Sequence, residues 1–194
     1  MRPDAASPLL LVVLVGIPGS GKSTLARALI SGAPPTDRTW SRISQDVLGS
    51  RNRCLKAARR AVREGQHVVV DRCNFDETQR AHWFGLGAPD EPTPFDHHLA
   101  IYLPVPPDEA EQRVLARGTH EGGVDVQSMS EAKIASIVQR MQGDLRLPAL
   151  SEGFGEVLHL ERGRAGMEAV LARVWALSSG EVEEDAEPTG SGES

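Results

Sequence analysis

The chain has 194 residues, 40% of them hydrophobic, two cysteines and a formal net charge of −6. Such a length suits one domain whose core needs no metal or disulfide staple, two cysteines are too few for a disulfide framework, and no apolar run is long enough to span a membrane. Residues 181–194 hold six acids and no Lys or Arg, and without them 21 Asp and Glu face 21 Lys and Arg, so charge does not exclude a nucleic-acid partner. The expected organisation is an N-terminal extension over 1–8, a folded domain over 9–178 and an acidic, disordered tail over 179–194. That tail is also a candidate protein-binding segment. The first eight residues lack a signal-peptide pattern, so an intracellular protein without a membrane partner is expected, nuclear or cytoplasmic.

In chain order, residues 9–15 read as a buried strand. Gly16-Ile17-Pro18-Gly19-Ser20-Gly21-Lys22-Ser23-Thr24 follows, and residues 22–30 read as a helix. Gly16, Gly21, Lys22 and Ser23 satisfy the P-loop spacing, in which a glycine-rich turn exposes backbone N–H groups and the next helix directs its positive end at the same spot. The alternative, a strand-to-helix turn without a ligand, needs all these parts to coincide by chance. The motif therefore predicts a nucleoside triphosphate site. Gly16, Pro18, Gly19, Ser20, Gly21 and Thr24 would line it, Lys22 would reach the β- and γ-phosphates, and Ser23 would ligate Mg²⁺.

Residues 31–39 form a loop by their Gly and Pro content, and 40–44 a short strand ending at Gln45-Asp46. A helix is expected over 50–64 with Gly65 as its C-terminal cap. It bears Arg51, Arg53, Lys56, Arg59, Arg60 and Arg63 against an apolar side that includes Cys54, Ala58 and Ala61. Residues 67–70 are a strand closing on Asp71, and 76–84 a helix with Asp76 as N-cap. Cys73, like Cys54, is expected to be a free thiol. A strand over 98–103, a helix over 107–117, a loop over 118–125, a helix over 130–141, a strand over 156–160 and a helix over 165–177 complete the chain. Alternating strands and helices imply an α/β fold: a P-loop NTPase-type three-layer sandwich with a mostly parallel sheet, helices on both faces and a helical lid over about 113–141. Ligands in such sheets sit at the carboxyl ends of the strands.

Phosphoryl transfer needs a carboxylate to accept the nucleophile's proton, and Asp46 and Asp71 both end predicted strands. Asp71 has the setting of a Walker-B aspartate, which faces the metal or its water shell; either acid could instead cap the next helix. Arg113 and Arg117 lie four apart on one helix face, as a phosphate-clamping lid or a solvated surface would have them. The basic helix over 50–64 suits a DNA or RNA backbone, or is an ordinary solvated face.

Together with the P-loop, Ser44-Gln45-Asp46-Val47-Leu48-Gly49-Ser50 and Val69-Val70-Asp71-Arg72-Cys73-Asn74 resemble the 5′-OH polynucleotide kinase family, especially the kinase domain of the mammalian polynucleotide kinase/phosphatase type. The phage polynucleotide kinase and the kinase domains of fungal tRNA ligases are more distantly similar. The resemblance runs over about residues 9–160. It includes Ala116-Arg117-Gly118-Thr119, similar to the phage lid, and the segment Leu147-Pro148-Ala149-Leu150-Ser151-Glu152-Gly153-Phe154. It implies Asp46 as the general base toward a 5′-hydroxyl, Lys22 and Arg117 as further catalytic groups, and Arg113 beside the donor nucleotide. Ser23 and Asp71, the latter through water, would serve Mg²⁺. Two positions depart from the family: Gly49 stands where the phage type has an arginine, and Arg72 where relatives carry a polar or acidic residue. Arg51, Arg53, Arg72 and Asn74 are the acceptor-binding candidates.

The expected function is a polynucleotide 5′-hydroxyl kinase that uses ATP or another NTP on the 5′-OH end of DNA or RNA, in end healing or repair. A small-molecule P-loop kinase and a nucleotide-dependent binding module with weak hydrolysis are the alternatives.

Overall fold

In the computed structural model of the protein, residues 7–87, 93–116 and 130–181 are described, and β1 (Leu10–Val15) runs through their centre, buried along its whole length. A strand without a polar alternation is what two covered faces require. Leu11, Val13 and Val15 point into a layer with Cys54, Ala58, Ala61 and Trp83. Leu10, Val12 and Leu14 point into the opposite layer, with Leu25, Leu29, Val170 and Val174.

Around β1 lie β2 (Trp40–Ser44), β3 (His67–Asp71), β4 (His97–Tyr102) and β5 (Glu156–His159). The order is β2-β3-β1-β4-β5, and every pairing is parallel. Val12 stands opposite Val69 on one side and Leu99 on the other, and Ser44 stands opposite Asp71. The expected α/β sandwich is therefore present, with an all-parallel sheet where a mostly parallel one was anticipated. The helices are α1 (Lys22–Ser31), α2 (Gln45–Leu48), α3 (Arg51–Arg63), α4 (Glu77–Ala81), α5 (Pro107–Ala116), α6 (Glu131–Asp144) and α7 (Arg164–Ser179).

Helix ends follow their local chemistry. The Asp76 carboxylate accepts from the Gln79 N–H at 2.7 Å to start α4. After α3 the Gly65 N–H donates to the Val62 carbonyl and the Gln66 N–H to the Ala61 carbonyl, both at 2.9 Å, the paired closure that a left-handed glycine permits. The helix expected over 76–84 stops at Ala81. There the N–H groups of Trp83 and Phe84 bond three residues back, to Arg80 and Ala81, and the chain tightens into turns. α6 runs on to Asp144 and α7 to Ser179.

α5 and α6 pack on the P-loop through Ile17, Val105, Ala110 and Val138 and on each other through Val114 and Ile134. The lid was expected over about 113–141, a range that takes in parts of both helices. Arg117 and the loop expected over 118–125 lie outside the described residues, as does the tail from residue 182.

Candidate active site

The P-loop joins β1 to α1. Gly21 caps α1 with φ +100°, a left-handed value that costs a side chain strain. Gly19 (φ +83°) has a second constraint, because a Cβ there would come within 2.3 Å of the Ala110 carbonyl oxygen. α5 thus lies directly on the loop. The Lys22 side chain is buried, and its ammonium donates to the Gly16 carbonyl at 3.0 Å, the Ile17 carbonyl at 2.7 Å and the Ser20 hydroxyl at 3.2 Å. All three partners are neutral, so a buried cation and the positive end of α1 converge on one spot. An anion there would gain from both.

A cavity of about 490 Å³ opens beside this loop. Lys22 and Ser23 line it from α1, Asp46 from the first turn of α2, and Asp71 and Arg72 from the end of β3; Val114, Ile134, Val138 and Met141 form an apolar wall. Asp46 is exposed, whereas Asp71 is 6% exposed. Asp71 accepts from Arg42 Nε at 2.9 Å and Nη2 at 2.5 Å, both on Oδ2. The sequence reading missed Arg42. Its available signal was alternation along β2, which puts residues 40, 42 and 44 on one face.

The donor set suits a hard, hydrated cation. Mg²⁺ typically takes one or two protein oxygens and fills its shell with water and substrate phosphates. Here Ser23 offers a hydroxyl, and Asp71 keeps Oδ1 outside its pair with Arg42. No cluster of three or more His, Cys, Asp or Glu that could hold a metal occurs among the described residues.

Two buried polar atoms without partners sit on residues of this cavity: Oε1 of Gln45 and Nη1 of Arg72. Buried polar groups are almost always paired, so each of these atoms calls for a partner, whether water, ion or ligand. The Arg72 guanidinium lies 5.6 Å from the Trp83 ring centroid, and burial disfavours its charged form. Asn74 behaves otherwise. Its amide nitrogen donates to the Leu14 carbonyl at 2.8 Å and the Arg72 carbonyl at 3.2 Å, and its oxygen accepts from the Trp83 indole at 3.0 Å. With 0% exposure and a left-handed backbone (φ +46°), Asn74 ties β1 to the loop after β3. It is a framework residue and leaves the acceptor-binding set. Arg51 and Arg53 are exposed at the start of α3.

A second cavity, about 350 Å³, lies on the other flank of the loop. Ser20, Gly21 and Thr24 line it with Arg113 and Arg162. Glu109 bonds both arginines, one through each carboxylate oxygen. Arg113 thus stands beside the P-loop, where its Nη1 donates to the Gly19 carbonyl at 3.4 Å. The role of Arg162 had no sequence signal, since its partner lies 53 residues away.

No protein-family model matches the chain. It is 35% identical over 154 residues to the transcription factor bHLH140 of Arabidopsis thaliana, covering 77% of this chain and 16% of that protein. It is 31% identical over 147 residues to the bifunctional polynucleotide phosphatase/kinase of Schizosaccharomyces pombe, covering 76% of this chain and 32% of that protein. Hence the chain spans less than a third of either relative's length. Among solved structures, a fungal RNA kinase superposes with a TM-score of 0.64 over 88% of this chain and 87% of that one, at 16% identity, which is a likeness of fold. The sheet order and the loop define a P-loop kinase fold. Within it, the similarity to the polynucleotide phosphatase/kinase, together with the fold of the RNA kinase, supports a P-loop polynucleotide kinase-like family.

Proposed function

We propose that the protein is an NTP-dependent polynucleotide 5′-hydroxyl kinase, which transfers the γ-phosphate of an NTP to the 5′-OH end of DNA or RNA in end healing or repair. The observation that carries this reading is one shared cavity: Lys22 and Ser23 of the P-loop and Asp46 of α2 line it together. A phosphate-binding loop and a solvent-reachable carboxylate on the same cavity are what donor and acceptor need to meet.

In this reading Asp46 takes the proton of the attacking 5′-hydroxyl as the O5′–P bond forms. The bond from the γ-phosphorus to the bridging oxygen breaks, and its electron pair leaves with the nucleoside diphosphate. Lys22 and the loop N–H groups hold the charge on the transferring group. Mg²⁺, drawn to Ser23 and, through water, to Asp71, would neutralise charge on the donor phosphates. Arg113 borders the second cavity, which suits the rest of the donor nucleotide, and Arg117, outside the described residues, would add a second guanidinium to the donor phosphates. On the acceptor side stand Arg51, Arg53 and Arg72.

The test is an acceptor panel with γ-labelled ATP and GTP: 5′-OH DNA, 5′-OH RNA, and a set of sugars, nucleosides and hydroxy acids. Label transferred to the oligonucleotides supports the proposal. Label confined to a metabolite assigns a small-molecule kinase, and hydrolysis without any labelled acceptor assigns a binding module.

A further inference from the structure

α3 carries six basic side chains in its 13 residues and no acid. Cys54, Ala58 and Ala61 turn inward, while Arg53, Lys56, Arg59, Arg60 and Arg63 are exposed. Positions 53, 56, 60 and 63 step by three and four, so they form one row along the helix. At 1.5 Å per residue that row is about 15 Å long.

Two other helices each neutralise an arginine locally. Arg113 pairs with Glu109 and Arg164 with Glu168, each four residues apart. On α3 this pattern occurs once, at the far end, where Arg60 Nε donates to Glu64 at 2.7 Å. Among the described residues no ion pair engages Arg53, Lys56, Arg59 or Arg63. A helix built merely to be soluble carries both signs, because interleaved acids add stability. This one keeps a single sign over three turns.

The row begins at the cavity. Gly49 closes α2, whose first turn bears Asp46, and a Cβ at Gly49 would sit 3.7 Å from Nη1 of Arg53. At the cavity itself, Arg72 presents the buried, unpartnered Nη1, and its guanidinium feels the repulsion of Arg51 at the start of α3. Positive charge is therefore continuous from the cavity onto the outer face of the helix. A small metabolite held in the cavity would leave that face unused. A polymer with a charge at every backbone step would reach it.

We propose that the outer face of α3 is a phosphate-backbone track, along which a polynucleotide leaves the cavity over Arg53, Lys56, Arg60 and Arg63. The proposal rests on the kinase reading for the chain end held at Asp46, and it adds that recognition extends several nucleotides beyond that end. Because the contacts are to phosphates, they confer preference for length and not for sequence.

The experiment compares a 5′-OH dinucleotide with a 5′-OH oligonucleotide long enough to lie along α3, in the parent protein and in the Lys56→Ser/Arg60→Ser/Arg63→Ser variant. kcat/KM is measured for both acceptors, and oligonucleotide binding is followed by fluorescence anisotropy across a salt series. The parent should favour the longer acceptor about tenfold or more, and the variant should lose most of that ratio through KM. The slope of log affinity against log salt should flatten by about 0.7 for each phosphate contact removed from a single-stranded oligonucleotide, or about 0.9 from a duplex. Equal length preference and equal salt slopes in parent and variant overturn the track. If the parent phosphorylates neither acceptor, the kinase reading fails; anisotropy then still decides the track, which stands if the variant binds more weakly and falls if it does not. All three substituted side chains are exposed, and an unchanged melting temperature verifies that the variant is folded.

Discussion

Arg42 and Asp71 come from neighbouring strands and meet at the carboxyl edge of the sheet, where two guanidinium nitrogens of Arg42 donate to a single oxygen, Oδ2, of Asp71. The Asp71 side chain is 3% exposed and that of Arg42 17%. Such an arrangement holds the carboxylate in one orientation on the cavity it shares with Ser23, with Oδ1 outside the pair. Asp71 thus lines the cavity already paired with a cation.

Arg42→Met should destabilise the protein by about 3 kcal/mol, because it strands a buried carboxylate without its cation. Asp71→Asn should cost less, since the amide oxygen still accepts from the guanidinium. Chemical unfolding of the two variants checks the order. Equal stability of parent and Arg42→Met would mean that water replaces the guanidinium at no cost.

A larger loss is expected at Arg80. Its side chain is fully buried; Nε and Nη2 donate to the two oxygens of Glu152, each at 2.7 Å, and Nη1 to the carbonyls of Asn74 and Arg146 at 3.0 and 2.9 Å. Glu152→Ala should cost about 3–5 kcal/mol by leaving that cation unpaired. The strap also reaches the site, because the Arg146 N–H donates to the Phe75 carbonyl at 2.7 Å and Phe75 lines the larger cavity. Below its melting temperature the variant should therefore show a raised KM for acceptor with a smaller change in KM for nucleotide.

His67 predicts an acid limit to stability. Burial holds its pKa down at about 4, against 6.5 for a free imidazole. Its Nδ1 accepts from the Leu10 N–H at 3.3 Å, which requires the neutral ring. Between those two values the unfolded chain binds a proton that the folded chain does not, so stability falls as pH drops from 6.5 to 4, by up to about 3 kcal/mol. His98, lowered by burial as well, acts in the same direction. Replacing His67 with Val should flatten the slope of unfolding free energy against pH and leave a remainder from His98. An unaltered slope would remove His67 as its source.

Asp46→Ala should lower phosphate transfer by about two to four orders of magnitude while nucleotide binding survives, since Asp46 is exposed and lies in the first turn of the four-residue α2. Steady-state transfer and calorimetric nucleotide titration give the two readouts. Transfer at the parent rate would deny Asp46 the role of base.

Much of this arrangement was legible in the sequence because it rests on local chemistry. The apolar run of β1, the glycines and lysine of the loop, Asp76 as a cap and Gly65 as a stop each act within a few residues. Asp46 and Asp71 could be put at the sheet edge because strand ends in a parallel sheet share one side. Long-range partners were not legible. Nothing near Arg42 in the chain announces Asp71, 29 residues on, and nothing near Arg80 announces Glu152, 72 residues on. Asn74 misled for the same reason. As a polar residue after a strand-end acid it looked available to substrate, yet the Trp83 indole and the Leu14 carbonyl use its amide from within the core. The row on α3 was visible as composition, but that Arg53, Lys56 and Arg63 have no ion pair among the described residues needed the fold.

The most direct test of the central claim is to locate the label after a single turnover of the protein with γ-labelled NTP and an oligonucleotide bearing hydroxyls at both ends. The account predicts label on the 5′ terminus alone, released by a 5′-phosphatase, and absent from the Asp46→Ala reaction. Label that appears only as inorganic phosphate, or only on a metabolite in the acceptor panel, would contradict it.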